Sequence, residues 1–470
     1  MPEKPQRRSR RQSGLGALVR RIHFYAGMFI GPFLFVAAVS GALYAVAPSM
    51  ESVVYRDILR APGSSTSVSL EEQVRAAHDE HPDLPIAQIW PSSEPGETTR
   101  VLLSDESVGE KRLRSVFVDP ATAAIVGDEP TYSGLGELPM RFWISGLHKN
   151  LHLGDPGALY SEMAASWMWF VALGGTYLWW RRTRSVRGSL RGIANTAPGS
   201  RKRMMNWHGV AGAWLLVAMI GLSITGITWS SVAGQNVSAT VTALNWKAEP
   251  IATELAGDAA GNAEPLEAET IAAQSDRVLA TAREEGLTGS LRLFPGEDTA
   301  TAWQASERWV PYRLGSDAVS IDGANGEVVD RLPFAELPVF SKLTSWGIYM
   351  HMGIMFGLPL QILLCVAALA MAGLVVTGYV LWWKRRPTVG APAGVPGPRG
   401  QLSGMDWAII AIFLATVGTF LPLFGASLLA MLIVDRILVR RAQRSKHRSN
   451  RAAESAAPRD REPVVAAAAP

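Results

Sequence analysis

Residues 21–41 read RIHFYAGMFIGPFLFVAAVSG, and residues 206–226 read NWHGVAGAWLLVAMIGLSITG. Laid over each other, the two stretches place His23 on His208, Gly27 on Gly212, and Ser40-Gly41 on Thr225-Gly226, with His-to-Gly spacings of 4 and 18 in both. A second pair repeats further along the chain. Leu147-His148, Gly154, Pro156 and Tyr177-Leu178-Trp179-Trp180-Arg181 match Met350-His351, Gly357, Pro359 and Val380-Leu381-Trp382-Trp383-Lys384, with 31 positions from His to the first Trp each time. Four His in register across two blocks point to an internal duplication.

Each stretch belongs to an apolar run long enough for a membrane. The run from His23 to Ala47 is uncharged, and about 20 such residues cross a hydrocarbon core of about 30 Å. Arg20 and Arg21 ahead of it and Ala45-Val46-Ala47 behind it mimic a signal peptide, but the run exceeds the roughly 7–15 apolar residues of one. Spans are expected over 22–48, 148–181, 206–230 and 343–384, the last with room for a break. The segment 405–440 holds Pro422 and Gly425 near its middle and reads as a hairpin of two short helices or a re-entrant pair.

Charge sets the orientation. Only 18% of the residues are charged, against about 25% in a soluble domain, and the basic ones cluster at the ends of apolar runs. Such clusters stay on the cytoplasmic side. They fill the tail 1–21, the loop 182–205, which is basic without an acid, the linker 385–404 and the start of the tail 441–470. The net charge of +4 is therefore a topology signal rather than a nucleic-acid footprint. Segments 49–147 and 231–342 are left outside, and both termini inside. The Ala-, Pro- and Arg-rich end of the chain reads as disordered.

The two outer segments look like small α+β modules. In the first, a helix over 69–82 precedes strands near 87–90, 98–103, 113–118 and 124–126. In the second, a helix over 267–285 precedes strands near 290–294 and 301–305 and a hairpin over 318–329. The fold class expected is thus an α-helical membrane protein made of a duplicated unit, spanning helix, extracytoplasmic α+β domain, spanning helix, followed by a C-terminal helical hairpin.

One Cys in 470 residues excludes a disulfide framework, thiolate zinc or iron–sulfur sites and a CxxCH haem attachment. The eight His remain as ligand candidates. A His in a spanning helix is costly unless paired, hydrated or metal-bound, although at a helix end it can simply hydrogen-bond water. Duplication favours convergence of His23 with His208 on the inner side and of His148 with His351 on the outer side. Two neutral imidazoles, one per face, suit a noncovalent b-type haem, and two b-type haems would make an electron path across the membrane. Zinc would be under-coordinated by two His alone. Gly27, Gly41, Gly212 and Gly226 would admit a flat macrocycle or a neighbouring helix, packing being favoured for Gly41 and Gly226. His152, one turn from His148 if that stretch is helical, could replace it, assist it or contact substrate. His78, His81 and His447 fall in soluble segments. Trp303, Trp309, Tyr312 and Arg313 could contact an anionic ligand, but exposed strand aromatics and a solvated Arg explain them equally well.

Arg21-Ile22-His23, Leu147-His148-Lys149, Trp179-Trp180-Arg181-Arg182 and Trp382-Trp383-Lys384-Arg385 resemble the PepSY-associated transmembrane family over about residues 15–387, and the outer segments resemble PepSY domains. Some members are bacterial inner-membrane reductases of ferric siderophores that bind two haems. The resemblance implies a multi-pass protein of the bacterial cytoplasmic membrane acting as a ferric (siderophore) reductase. Electrons from quinol or a cytoplasmic reductase would pass to a ferric siderophore or other ferric chelate outside, His23 and His208 ligating the inner haem and His148 and His351 the outer one. No Gly-rich dinucleotide fingerprint accompanies them. The competing reading is a haem-free sensory or regulatory membrane protein whose PepSY modules bind peptide or inhibit a protease. A solute transporter is a third class.

Overall fold

Pro32 and Ile30 decide how the first apolar run folds. Proline is welcome in the first turn of a helix and disruptive further inside, so the chain forms α1 (Gly14–Phe29), breaks at Ile30, and restarts as α2 (Gly31–Val54). In this computed structural model residues 14–62, 67–132, 134–183, 185–255, 263–385 and 402–456 are described. They fall into two compact units, one joining Met1–Ala26 to Arg386–Pro470 and the other Gly27–Arg385.

In the larger unit α2 leads through the short α3 (Arg56–Leu59) into α4 (Leu70–Glu80), capped by Ser69, whose hydroxyl accepts from the Glu72 N–H. Four strands follow, β1 (Ile86–Trp90), β2 (Thr99–Leu103), β3 (Arg112–Val118) and β4 (Ile125–Tyr132). Then come α5 (Pro139–Asn150), α6 (Gly154–Thr183), α7 (Val186–Ala194), α8 (Arg201–Trp214), α9 (Leu216–Thr228) and α10 (Ala233–Ala243). A second helix-and-strand set is α11 (Ala268–Glu284), β5 (Leu291–Phe294), β6 (Trp303–Glu307), β7 (Ala318–Ile321) and β8 (Val328–Leu332), before α12 (Val339–His351) and α13 (Gly357–Trp383).

The strands form one eight-stranded antiparallel sheet in the order β4-β3-β2-β1-β5-β6-β7-β8. The segments read as two modules therefore share a sheet, joined where Ile89 of β1 pairs with Leu293 of β5. Edge strands seek partners because their N–H and C=O groups are unpaired, and joining the two short sets removes one edge from each. α4 and α11 cover one face. Their Leu70, Val74, Ile271 and Val278 pack on Ile89, Val101, Leu293, Ala305 and Val319.

Among the described residues three helices are long and apolar enough to cross a membrane, α2, α13 and, in the other unit, Pro422–Arg441. α8 and α9 together make a fourth candidate, bent by 57° at Leu215. α6 is 30 residues long but carries Asp155 and Glu162 within it. The helix core of this unit is built from Ala38, Ala42, Ala172, Met219, Ala368, Met371 and Ala372. Small side chains let helices approach where apolar burial gives no drive against lipid.

Several expected boundaries move. Neither 148–181 nor 343–384 is one helix. α5 ends at Asn150 and α6 starts at Gly154, with Leu151, His152 and Gly154 all at positive φ. α12 ends at His351 and α13 starts at Gly357, also at positive φ. Both His thus close a helix outside the long span, and the 31-residue spacing never needs a straight helix.

In the smaller unit α14 (Gly404–Phe420) and α15 (Pro422–Ala456) form the C-terminal hairpin. Ser403 and Asp406 make a capping box at its entrance, and Gly418 and Gly425 pack backbone to backbone beside the turn. α15 runs on to Ala456, into the segment read as a disordered tail. Residues 1–13 of the basic tail, 386–401 of the linker, 457–470 and the His447 side chain lie outside what is described. Within this unit Arg21 is held by α15, its Nε 2.5 Å from Asp435 Oδ1, and Tyr25 donates to the same oxygen at 3.0 Å.

Candidate functional site

The site begins with two hydroxyls that face the helix interior. Ser40 donates its O–H to the Val36 carbonyl at 2.7 Å, and Thr225 donates to the Gly221 carbonyl at 2.9 Å. Such back-bonding is how a hydroxyl is satisfied inside an apolar helix. Each oxygen keeps an acceptor lone pair, and each meets an imidazole. His148 Nδ1 lies 3.0 Å from Ser40 Oγ, and His351 Nδ1 lies 2.5 Å from Thr225 Oγ1.

With each hydroxyl proton given to a helix carbonyl, each oxygen is free to accept from the ring, the arrangement in which Nδ1 carries the ring proton. A neutral imidazole with a proton on Nδ1 carries a bare lone pair on Nε2. In that arrangement both rings can ligate a metal. The ring centres are 6.4 Å apart with planes at 57°. Tyr44 stacks on His148 at 6.2 Å, and Trp229 lies 6.1 Å from His351. Both His are half-buried.

The surroundings hold the two rings in place. A side chain on Gly41 would come within 3.0 Å of His148 Cε1, so glycine there gives the ring its room. Gly226 makes room for Ala165 of α6 instead. Helix packing, the reading favoured for both, holds for Gly226 and not for Gly41. Tyr160 of α6 donates to the His148 carbonyl at 2.7 Å. Tyr44 donates to Glu137 at 2.7 Å, and Arg141 lies 3.5 Å from Glu137 and 3.6 Å from Glu51.

Of the other candidates, His208 lies on α8 with Nδ1 buried and without a hydrogen-bond partner among the described residues. His23 lies within α1, in the smaller unit. His152 is not on a helical face with His148, because the chain reverses at 151–154. Its exposed ring packs on Trp143 at 5.0 Å and over Gly146. Trp303, taken as an exposed strand aromatic, is 1% exposed and belongs to the sheet core, donating to Gln274 at 2.7 Å. Trp309 stacks on Tyr349 at 4.3 Å, and Arg313 pairs with Glu307. Tyr312 is exposed.

Sequence reasoning missed Ser40 and Thr225 as partners of the His, although the signal was there in a hydroxyl residue 17 positions after each first His. It missed Glu162, which is buried on α6 and accepts from the Val232 and Ala233 N–H groups at 2.9 and 3.0 Å, capping α10. Among the described residues no three His, Cys, Asp or Glu side chains gather to hold a metal ion.

A model of the family described as the PepSY-associated TM region matches residues 20–385. No curated protein matches the chain.

Proposed function

Since the chain belongs to the PepSY-associated TM region family of membrane proteins, we propose that it is a membrane haem protein that passes electrons outward across the bilayer, to a ferric siderophore or another ferric chelate, in iron uptake. The observation that carries this reading is the pair His148 and His351, each with Nδ1 against a hydroxyl of a neighbouring helix, an arrangement that would leave Nε2 to bind a metal. The two ring centres lie 6.4 Å apart, so His148 and His351 could both hold one metal-bearing group. Among the described residues no third His, Cys, Asp or Glu gathers with them, and two His would suit haem, which supplies the remaining donors itself.

Bound there, haem would supply reversible one-electron transfer at its iron. His148 and His351 would hold it, with Ser40 and Thr225 keeping their rings in register. Gly41 gives the His148 ring space, and Tyr44 and Trp229 flank the pair. A second haem on the inner side is proposed as well, with His208 of α8 as one of the residues that would hold it. Basic ends of apolar runs favour the cytoplasmic side, and this supports putting the sheet domain outside.

Several pairings support reading the chain as two equivalent halves. Ser40 relates to His148 as Thr225 relates to His351, and the strand order reads outward from β1 and β5 in the same way.

The test is an optical spectrum of detergent-purified protein, oxidised and dithionite-reduced, with haem counted per chain. Two b-type haems, falling to about one in His351→Ala, support the proposal. Absence of haem in protein made with ample haem supply overturns it, and leaves the sheet domain as a peptide-binding or regulatory module.

A further inference from the structure

Three arginines gather on the face of the sheet opposite α4 and α11, and the electron path uses none of them. Strand alternation puts them there. Val101 and Leu293 face the helices, so Arg100 and Arg292 face away, and Trp90 does so beside Ile89. The Arg308 guanidinium lies 4.4 Å from the Trp90 ring centre, and that of Arg100 lies 5.4 Å from the same ring and 5.2 Å from Phe117.

Their polar partners are few. Arg292 donates through Nη1 to the Gly134 carbonyl at 2.9 Å, but its Nε is buried without an acceptor among the described residues. Among the described residues Arg100 donates to the Gly136 carbonyl, at 3.5 Å, and feels the charges of Glu51 and Glu97. Glu97 stands 3.6 Å from Arg308 and already accepts from Ser93 N–H and O–H at 3.0 and 2.6 Å. Counting the neighbouring Arg141, Glu51 and Glu137, four guanidiniums meet three carboxylates, which leaves one positive charge over. Burial, then the charge of Arg100, pulls Arg308 down to about 10, and burial lowers Arg100 and Arg292 as well. A desolvated cation is costly until an anion joins it. Tyr349, which interacts electrostatically with Arg292, sits on α12 two positions before His351.

We propose that Arg100, Arg292 and Arg308 form a subsite for one carboxylate of an anionic ligand, between the sheet and the helix that carries His351. Guanidinium forks match carboxylates in shape and charge, and one carboxylate brings the cluster to neutrality. The carboxylate comes from one of two sources, a ferric carboxylate chelate or the side chains of haem itself. The first source deepens the proposed function, because it makes the substrate an anionic carboxylate chelate rather than a neutral or cationic one. The basic cluster itself does not depend on that reading.

The test uses the full chain in detergent, as wild type, Arg292→Gln and Arg308→Gln, with two readouts. These are haem per chain with its midpoint potential, and binding of redox-inert gallium(III) citrate by equilibrium dialysis. Gallium citrate bound about tenfold or more weakly by the variants, the worth of one charge-assisted hydrogen bond, with haem unchanged, supports the chelate as source. Lower haem retention or a shifted potential, without an effect on citrate, supports haem. Variants equal to wild type in both readouts overturn the subsite. Arg292→Gln leaves the Trp90 stack intact, so the test stands even if Arg308→Gln fails to fold. A protein without haem that still binds gallium citrate through Arg292 would sink the electron-transfer reading and keep the subsite.

Discussion

Arg21 and Asp435, 414 positions apart, meet through a 2.5 Å contact from Nε to Oδ1, with side chains 5% and 0% exposed. Tyr25 completes the cluster, its hydroxyl 2.8 Å from Arg21 Nη2 and 3.0 Å from Asp435. The contact ties the C-terminal hairpin, which lies wholly beyond the matched residues 20–385, to the helix that carries His23. Taking one partner from a buried ion pair leaves the other charge uncompensated, at a cost of about 3–5 kcal/mol. Asp435→Ala is therefore expected to lower the thermal midpoint of the purified protein clearly, and Asp435→Asn, which keeps an acceptor for Tyr25, less so. Equal midpoints for wild type and Asp435→Ala would show that the pair contributes nothing.

Ser40→Ala and Thr225→Val remove the hydroxyls that meet Nδ1 of His148 and His351 while nearly keeping size. Loss of such an outer partner typically weakens metal binding by about 10–100-fold. Haem transfer to a scavenging apoprotein should be faster in both variants, and fastest in the double variant. Unchanged transfer would mean that the hydroxyls do not orient the rings of a bound haem.

His152→Ala should leave haem content and spectrum as in wild type, because its ring packs on Trp143 outside the His148–His351 pair. Loss of one haem in that variant would make His152 a ligand and displace His148 from the role.

Gly136 has φ of +65°, and a side chain there would fall 2.3 Å from the Trp90 ring. Gly136→Ala should destabilise the sheet domain by about 1–3 kcal/mol through strain and displacement of Trp90. Denaturant unfolding followed by tryptophan fluorescence checks this. A variant as stable as wild type would mean that Trp90 moves aside freely.

Glu97 carries a pH dependence. Burial pushes its carboxyl up, but the Ser93 hydroxyl and N–H, then Arg308 and Arg100, hold it below the ordinary carboxylate value on balance. A depressed folded-state value gives stability that is complete above the unfolded-state value and is lost as pH falls through the folded one. Wild type should therefore lose stability below the usual carboxylate range by more than Glu97→Gln does. Parallel stability–pH curves for the two proteins would remove Glu97 from the account.

Much of the fold is legible in the sequence, and the reasons differ by element. The spans follow from apolar length, which a bilayer imposes locally. The strands near Ile89, Val101 and Val116 follow from β-branched alternation between turn residues. The His-to-Trp spacing was legible too, but not its meaning, because a break at Leu151 and at Met352 depends on positive φ at His152, Gly154 and Gly357. Trp303 misled because strand aromatics look alike from either face, and only the position of α11 decides which face is covered.

The sequence by itself determined that this is a multi-pass membrane chain with four matched His, since hydropathy, charge clusters and spacing are properties of the linear order. Tertiary structure alone decided which atoms meet: Ser40 with His148, Thr225 with His351, Arg21 with Asp435, and the arginines around Trp90. Those pairings join residues some 108 to 414 positions apart or lie across neighbouring strands. Contacts at such range are set by packing and by the need of each buried polar group for a partner, which no local pattern encodes.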